Sequence, residues 1–336
     1  MSLTSIGDLA QSFVLQRQSA AMKSEMGRLN VQLSSGQVAD VSGHLDGNFG
    51  HLADIERDLS LLETFRTTTE EARTFTGTMQ TALGQVQGRA EALGRDAILT
   101  ADAPGNADLG LVAAQARGSL DTIVTALNTD VAGRALFSGN AVDRAPLVPA
   151  GDLLSAARAA VAGVTDAAGL RSTLETFFNG PGGGFETLVY QGGTADLAPY
   201  RLGEGASVDL ALRADAQPVR DTLRHAVTAA LANDAALPLT DPARRALVRE
   251  SGEGLLAAGR ALTGMSAGLG ATEARIDESA SRIAAELTSL DLARSELVAA
   301  DPFETATRLE EVQFQLETLY TLTARAARLN LASFLS

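Results

Sequence analysis

The stretch GRALFSGN at residues 133–140 sets Ser138 between a phenylalanine and a glycine, where a hydroxyl could serve as nucleophile, helix cap or boundary. A nucleophile elbow needs a glycine two residues before its serine to allow the strained turn, and position 136 is leucine. The three histidines, His44, His51 and His225, do not make a metal site either. His44 and His51 are seven residues apart, not four, so one helix face cannot aim both at an ion, and both read as solvated loop residues. Asp46-Gly47-Asn48 starts like a calcium loop but lacks the alternating oxygen ligands and closing glutamate. Gly182, Gly183 and Gly184 are not followed by Lys-Ser/Thr, so a flexible turn explains them better than a phosphate cradle. The pairs Glu70-Glu71 and Glu310-Glu311 are adjacent on helical stretches, where neighbouring side chains point in different directions. The sequence therefore offers no catalytic, metal-binding or cofactor-binding set, and an enzyme is not expected.

Composition narrows the class further. At 336 residues the chain is long enough for two or three domains with a sizeable core. Apolar residues make up 45% but aromatics only 4%, which favours helices packed through small and aliphatic side chains. A net charge of -14 repels phosphate backbones and anionic lipid, so nucleic acid and membrane insertion are disfavoured and a soluble protein is expected. With no cysteine, disulfides and thiolate metal sites are excluded, while the compartment stays open. The start, MSLTSIGDLAQSFVLQRQ, has neither the basic opening nor the apolar run of a cleaved signal peptide. No apolar run reaches the length of a membrane span.

The elements that position these residues follow from periodicity. Ile6, Leu9 and Phe13, then Met22, Met26, Leu29 and Leu33, form one helical face. The run LSSGQVADVSGHLDGNFG at 33–50 interrupts it as a loop. A second helix starts near Leu52, and Met79, Leu83, Val86, Ala90, Leu93 and Ala97 continue its spacing to the turn at 101–108. A third runs from near Leu111 through Val131 into GRALFSGN, with Leu136 and Phe137 anchoring its last turn and Ser138, Gly139 and Asn140 ending it. Between 140 and 216 prolines, glycines and short segments predict a separate loop-rich module, with a strand where Val208, Leu210 and Leu212 alternate with polar or small residues. Helix returns at 218–233, and again after Thr240 or Asp241 as N-cap with Pro242 in the first turn. A heptad seam follows through Ile276, Ala280, Ile283, Leu287, Leu290 and Leu297, broken only by Arg294. DPFE at 301–304 punctuates it, and a last helix carries Leu309, Val312, Leu316, Leu319, Ala326 and Leu329.

The predicted fold is mainly α: a long antiparallel helical rod or coiled coil built by the N- and C-terminal regions, with a small α+β outer domain inserted. The expected segments are 1–40 for the first helix, 41–139 and 217–300 for the two halves of the rod, 140–216 for the outer domain and 301–336 for the last helix. Amphipathic helices at the two extremes are marginal alone and gain stability by burying their stripes, so each is the obvious partner of the other.

Several stretches also resemble a known family. VQLSSGQ at 31–37 with the helix from Leu52 to Leu93 looks like the N-terminal helical region of bacterial flagellins. Residues 268–336 are similar to the flagellin C-terminal region, including Asp301, Ala306-Thr307, Gln313 and the Leu-Asn-Leu close at 329–331. ALFSGN sits where the hook-associated protein 3 branch of that superfamily has a Leu-Phe-Ser-Gly step before its outer module; filament flagellins usually lack it. Two departures stand out: QVADVSGHLD at 37–46 replaces a Pro-Ser-Asp-Asp-Pro type sequence, and Asn140 replaces the more usual Thr.

The resemblance implies a structural part of the bacterial flagellum, exported through the flagellar apparatus without a cleaved signal and located outside the cell at the junction of hook and filament. It implies self-assembly into a helical ring, with hook-associated protein 1 on the hook side, flagellin on the filament side, and an export chaperone. It also implies terminal helices that stay mobile in the monomer and pair on assembly. The assembly interface then falls on Ile6, Leu9, Phe13, Met22, Met26, Leu29, Leu33, Leu309, Val312, Leu316, Leu319 and Leu329. The family turn falls on Ser34, Ser35 and Gly36, and the border of the outer domain on Phe137, Ser138 and Gly139. Two other readings stay open: a minor filament flagellin and a cytoplasmic coiled-coil signalling protein.

Overall fold

A computed structural model describes residues 3–103 and 108–335 of the chain, with side chains described at 10, 12–103 and 108–325. The fold is mainly α, with two small two-stranded antiparallel sheets. The chain divides into two compact units, one made by Met1–Glu63 with Ala285–Ser336 and the other by Thr64–Ala284.

In the first unit, α1 (Leu3–Ser35) packs against α9 (Pro302–Leu335). The order is antiparallel, since Gln32 meets Thr305 while Lys23 lies over the ring of Tyr320. Leu15, Ser19, Met22, Met26 and Leu29 recur at alternating spacings of four and three and are the half-buried to buried side of α1. Leu309, Val312, Leu316 and Leu319 do the same on α9. The helix ends are shaped locally. Gly36, at φ +70, lets α1 stop, and the Ser35 hydroxyl accepts from the Gln37 amide. The Asp301 carboxylate accepts from the amides of Phe303 and Glu304, which caps α9 beside Pro302. The two connectors meet in one antiparallel bridge, with the Val38 amide donating to Val298 O and the Ala300 amide to Gly36 O, each at 2.9 Å.

The second unit holds the main core. Met79, Leu83, Val86, Ala90, Leu93 and Ala97 of α3 (Gly50–Asp102) are buried, as their helical spacing predicts, and Phe75 one turn earlier is buried with them. With them pack α4 (Leu109–Leu127), α5 (Ala150–Ala160), α6 (Ala167–Asn179), α7 (Gln217–Leu231) and the buried face of α8 (Asp241–Leu297). Asp108 and Asp166 cap α4 and α6 through side-chain bonds to Gly110 and Gly169.

Three expectations need correction. The third helix does not reach GRALFSGN: it ends at Leu127, where the Asn128 side chain turns aside to donate to Leu147 O and accept from the Leu147 amide. Ala132 and Gly133, both at positive φ, then form the turn of a hairpin between β1 (Asp130–Val131) and β2 (Arg134–Ala135), a conformation no α-helix accommodates. Residues 140–216 are also less loop-rich than expected, since they contain α5, α6 and a π-helical turn at Phe185–Val189. Finally, the strand expected through Leu212 is only β4 (Ala206–Val208), paired with β3 (Tyr200–Gly203); the alternating burial continues to Leu210 without a partner strand.

Candidate functional site: the Phe137 loop and the terminal helix pair

Ser138 is fully buried, and its hydroxyl donates to Arg144 O at 2.8 Å. The proton goes to a backbone carbonyl, not to a base, so the residue is placed to hold the loop. Around it, backbone bonds gather distant passages of the chain. The Gly193 amide donates to Ser138 O at 2.7 Å, the Ala214 amide to Phe137 O at 2.9 Å and the Asn140 amide to Ala195 O at 3.0 Å. Phe137 is buried beneath them. Gly139 adopts φ +59, and a side chain there would collide with Ala195 O and the Arg213 side chain. Arg213 completes the tie by donating to Asp215, Asp196 and Thr194 O. Tyr190 donates to Gly193 O at 2.9 Å, and its hydroxyl is pushed up to about 12 by burial and by the Asp215 carboxylate. Phe137, Ser138 and Gly139 thus form a junction of chain passages and not the last turn of a helix.

A second fastening lies on α3. Arg134 pairs with Glu71 and places its guanidinium 4.9 Å from the centre of the Phe75 ring, whose other neighbour is the ring of Tyr200 at 6.1 Å. Both small hairpins are held to α3 this way. Burial raises the Tyr200 hydroxyl above its ordinary range.

In the terminal pair, Leu29, Leu316 and Leu319 are buried and Met22, Met26, Leu309 and Val312 half-buried. Leu33 has the same helical phase but sits in the last turn of α1 and remains exposed. Ser34 and Ser35 are exposed, bonded through their hydroxyls to Val31 O and Gln32 O. The side chains of Ile6, Leu9 and Leu329 lie outside the described residues. Phe13 is 67% exposed. On a helix of about 100° per residue it shares a face with Val31, opposite the side that meets α9.

The α9 helix has a matching feature that the three-four spacing does not mark. Phe303 and Phe314, 82% and 71% exposed, are about three turns apart and lie opposite Leu309, Val312 and Leu316. Their spacing was visible, but their phase differs from the seam. Both helices therefore carry apolar side chains on two faces, one covered by the partner helix and one uncovered. His44 and His51 are exposed, at the end of α2 (Val41–His44) and the start of α3 and not within a loop. No cluster suited to a metal occurs among the described residues, and none of their helices is long and apolar enough to cross a membrane.

Two paired terminal helices with apolar residues on both faces thus flank, in sequence, a second compact unit. Residues 255–335 match the bacterial flagellin C-terminal helical region. A Vibrio parahaemolyticus protein described as a flagellar hook-associated protein has a similar fold, with a TM-score of 0.52 and 14% identity over 73% of this chain and 95% of that one. No curated protein matches the sequence. The C-terminal part of the chain is therefore similar to the flagellin C-terminal helical region, and its fold is similar to that of the Vibrio protein.

Proposed function

We propose that the chain is the subunit that joins hook to filament in a bacterial flagellum, assembling helically through its terminal helix pair. The observation that carries this reading is the second apolar face of that pair, Phe13 and Val31 on α1 with Phe303 and Phe314 on α9. A helix apolar on two sides needs two partners. One is supplied within the chain and the other by a neighbouring copy, through the head-to-tail contact that generates helical assemblies. The resemblance implies that pairing waits for assembly; the single chain has the pair formed, leaving the outer faces for neighbours to cover.

The Leu136-Phe137-Ser138-Gly139 step favours the junction over the filament proper. On this reading hook-associated protein 1 and flagellin are the partners on the two sides, and an export chaperone accompanies the chain to the secretion apparatus. Deleting the gene tests it: hooks without filaments, with flagellin shed into the medium, are expected. Normal filaments on the mutant would overturn it and favour the second reading, a minor filament flagellin, which the match at 255–335 also supports. Retention of the protein in the cytoplasm of a strain that assembles flagella would favour a coiled-coil signalling protein.

A further inference from the structure

His225 lies on α7 where α6 and α8 meet it. Its ring fills the space left open by Gly254 of α8, and any side chain at 254 would collide with it. The part-buried imidazole shares a small pocket with Arg171 of α6, with Arg224 and Thr228 of its own helix, and with Leu247, Glu250 and Ser251 of α8. Arg224 Nη2 is 3.0 Å from His225 Nε2. A guanidinium can only donate, so Nε2 is the acceptor and the ring is neutral with its proton on Nδ1. The surrounding charges are already engaged. Arg171 pairs with Glu250 at 2.9 Å, and Arg224 pairs with Glu175 of α6 and Asp221 of α7, each at 3.1 Å. Asp221 further accepts from Asn179 and Gln217.

We propose that His225 is an acid-sensitive latch of the second unit: neutral, it is seated between α6, α7 and α8; protonated, it leaves the Gly254 notch and lets α7 separate from α8. Protonating Nε2 removes the only role it can play toward Arg224 and sets a cation against that guanidinium in a part-buried site. Burial, then Arg224, lowers the His225 pKa from its ordinary 6.5 to about 4, against the weaker opposing pull of Asp221 and Glu175. The unfolded chain therefore binds the proton first. The latch contributes fully above pH 6.5 and is lost progressively as pH falls from there through about 4, a change of about 20-fold in the unfolding equilibrium between pH 7 and pH 5.

The test is an NMR titration of the three imidazoles of the full chain, with urea unfolding of the second unit between pH 7 and pH 5. One imidazole should titrate near pH 4 and be absent from the spectrum of His225→Gln, and unfolding of the parent should become easier toward pH 5 while the variant is nearly flat. Titration of His225 near 6.5, or an unchanged pH slope in His225→Gln, overturns the proposal. If His225→Gln does not fold, His44→Gln and His51→Gln assign the His225 resonance by elimination, and its titration midpoint decides.

Discussion

The side-chain amide of Gln32 donates to the Thr305 hydroxyl across 3.1 Å, joining residues 273 positions apart in the chain. The contact fixes the register in which α1 and α9 run past one another. Thr305 is buried, and one turn of slippage would break this bond. Beside it the buried Leu29 supplies the packing. Leu29→Ala should destabilise the first unit by about 2–3 kcal/mol and leave the second unchanged. Calorimetry should show a single displaced transition.

On the proposed function, substitutions on the outer faces separate folding from assembly. Phe303→Ser and Phe314→Ser remove exposed side chains, so the monomer's stability should change by no more than about 0.5 kcal/mol. Incorporation into flagella, measured by quantitative blotting of sheared appendages, should fall about tenfold, the equivalent of about 1.4 kcal/mol lost at each contact.

Gly139→Ala adds a methyl group where the backbone is left-handed and Ala195 O is in the way. It should lower the stability of the second unit by about 2–4 kcal/mol. Gly133→Ala, also at positive φ but facing open space, should cost only about 1–2 kcal/mol. Parallel urea titrations of the two variants measure the difference.

Asp234 accepts from the Ala236 amide at 3.0 Å and from Arg158 at 2.6 Å. Burial opposes its ionised form, yet these bonds outweigh burial and hold its carboxyl below the ordinary 3.8. Its contribution is therefore complete above pH 3.8 and disappears as pH falls through the lower folded value. Asp234→Asn should cost about 1–2 kcal/mol at neutral pH, and the gap from the parent should close in acid.

The long helices and the pairing of the first with the last were legible because a three-four apolar spacing survives in any sequence that must bury one face. Leu29, Leu316 and Leu319 are where that spacing puts them. Asn128 and the hairpin after it were not legible, because the helix is ended by a side chain that bonds to Leu147, nineteen residues on. The ties around Ser138 are backbone bonds to 193–195 and 214, which leave no side-chain pattern to read. The Ser138-Gly139-Asn140 run was the local signal available, Gly139 being the residue type that accepts the positive φ found there. His225 and Gly254 belong to different helices, so nothing local marks them as a pair.

A density map of intact flagella across the boundary between hook and filament tests the central claim most directly. The account predicts that this chain occupies a short layer at that boundary, with Phe303 and Phe314 covered by adjacent subunits. Finding it along the filament, or finding those two side chains facing solvent in the assembled structure, would contradict the account.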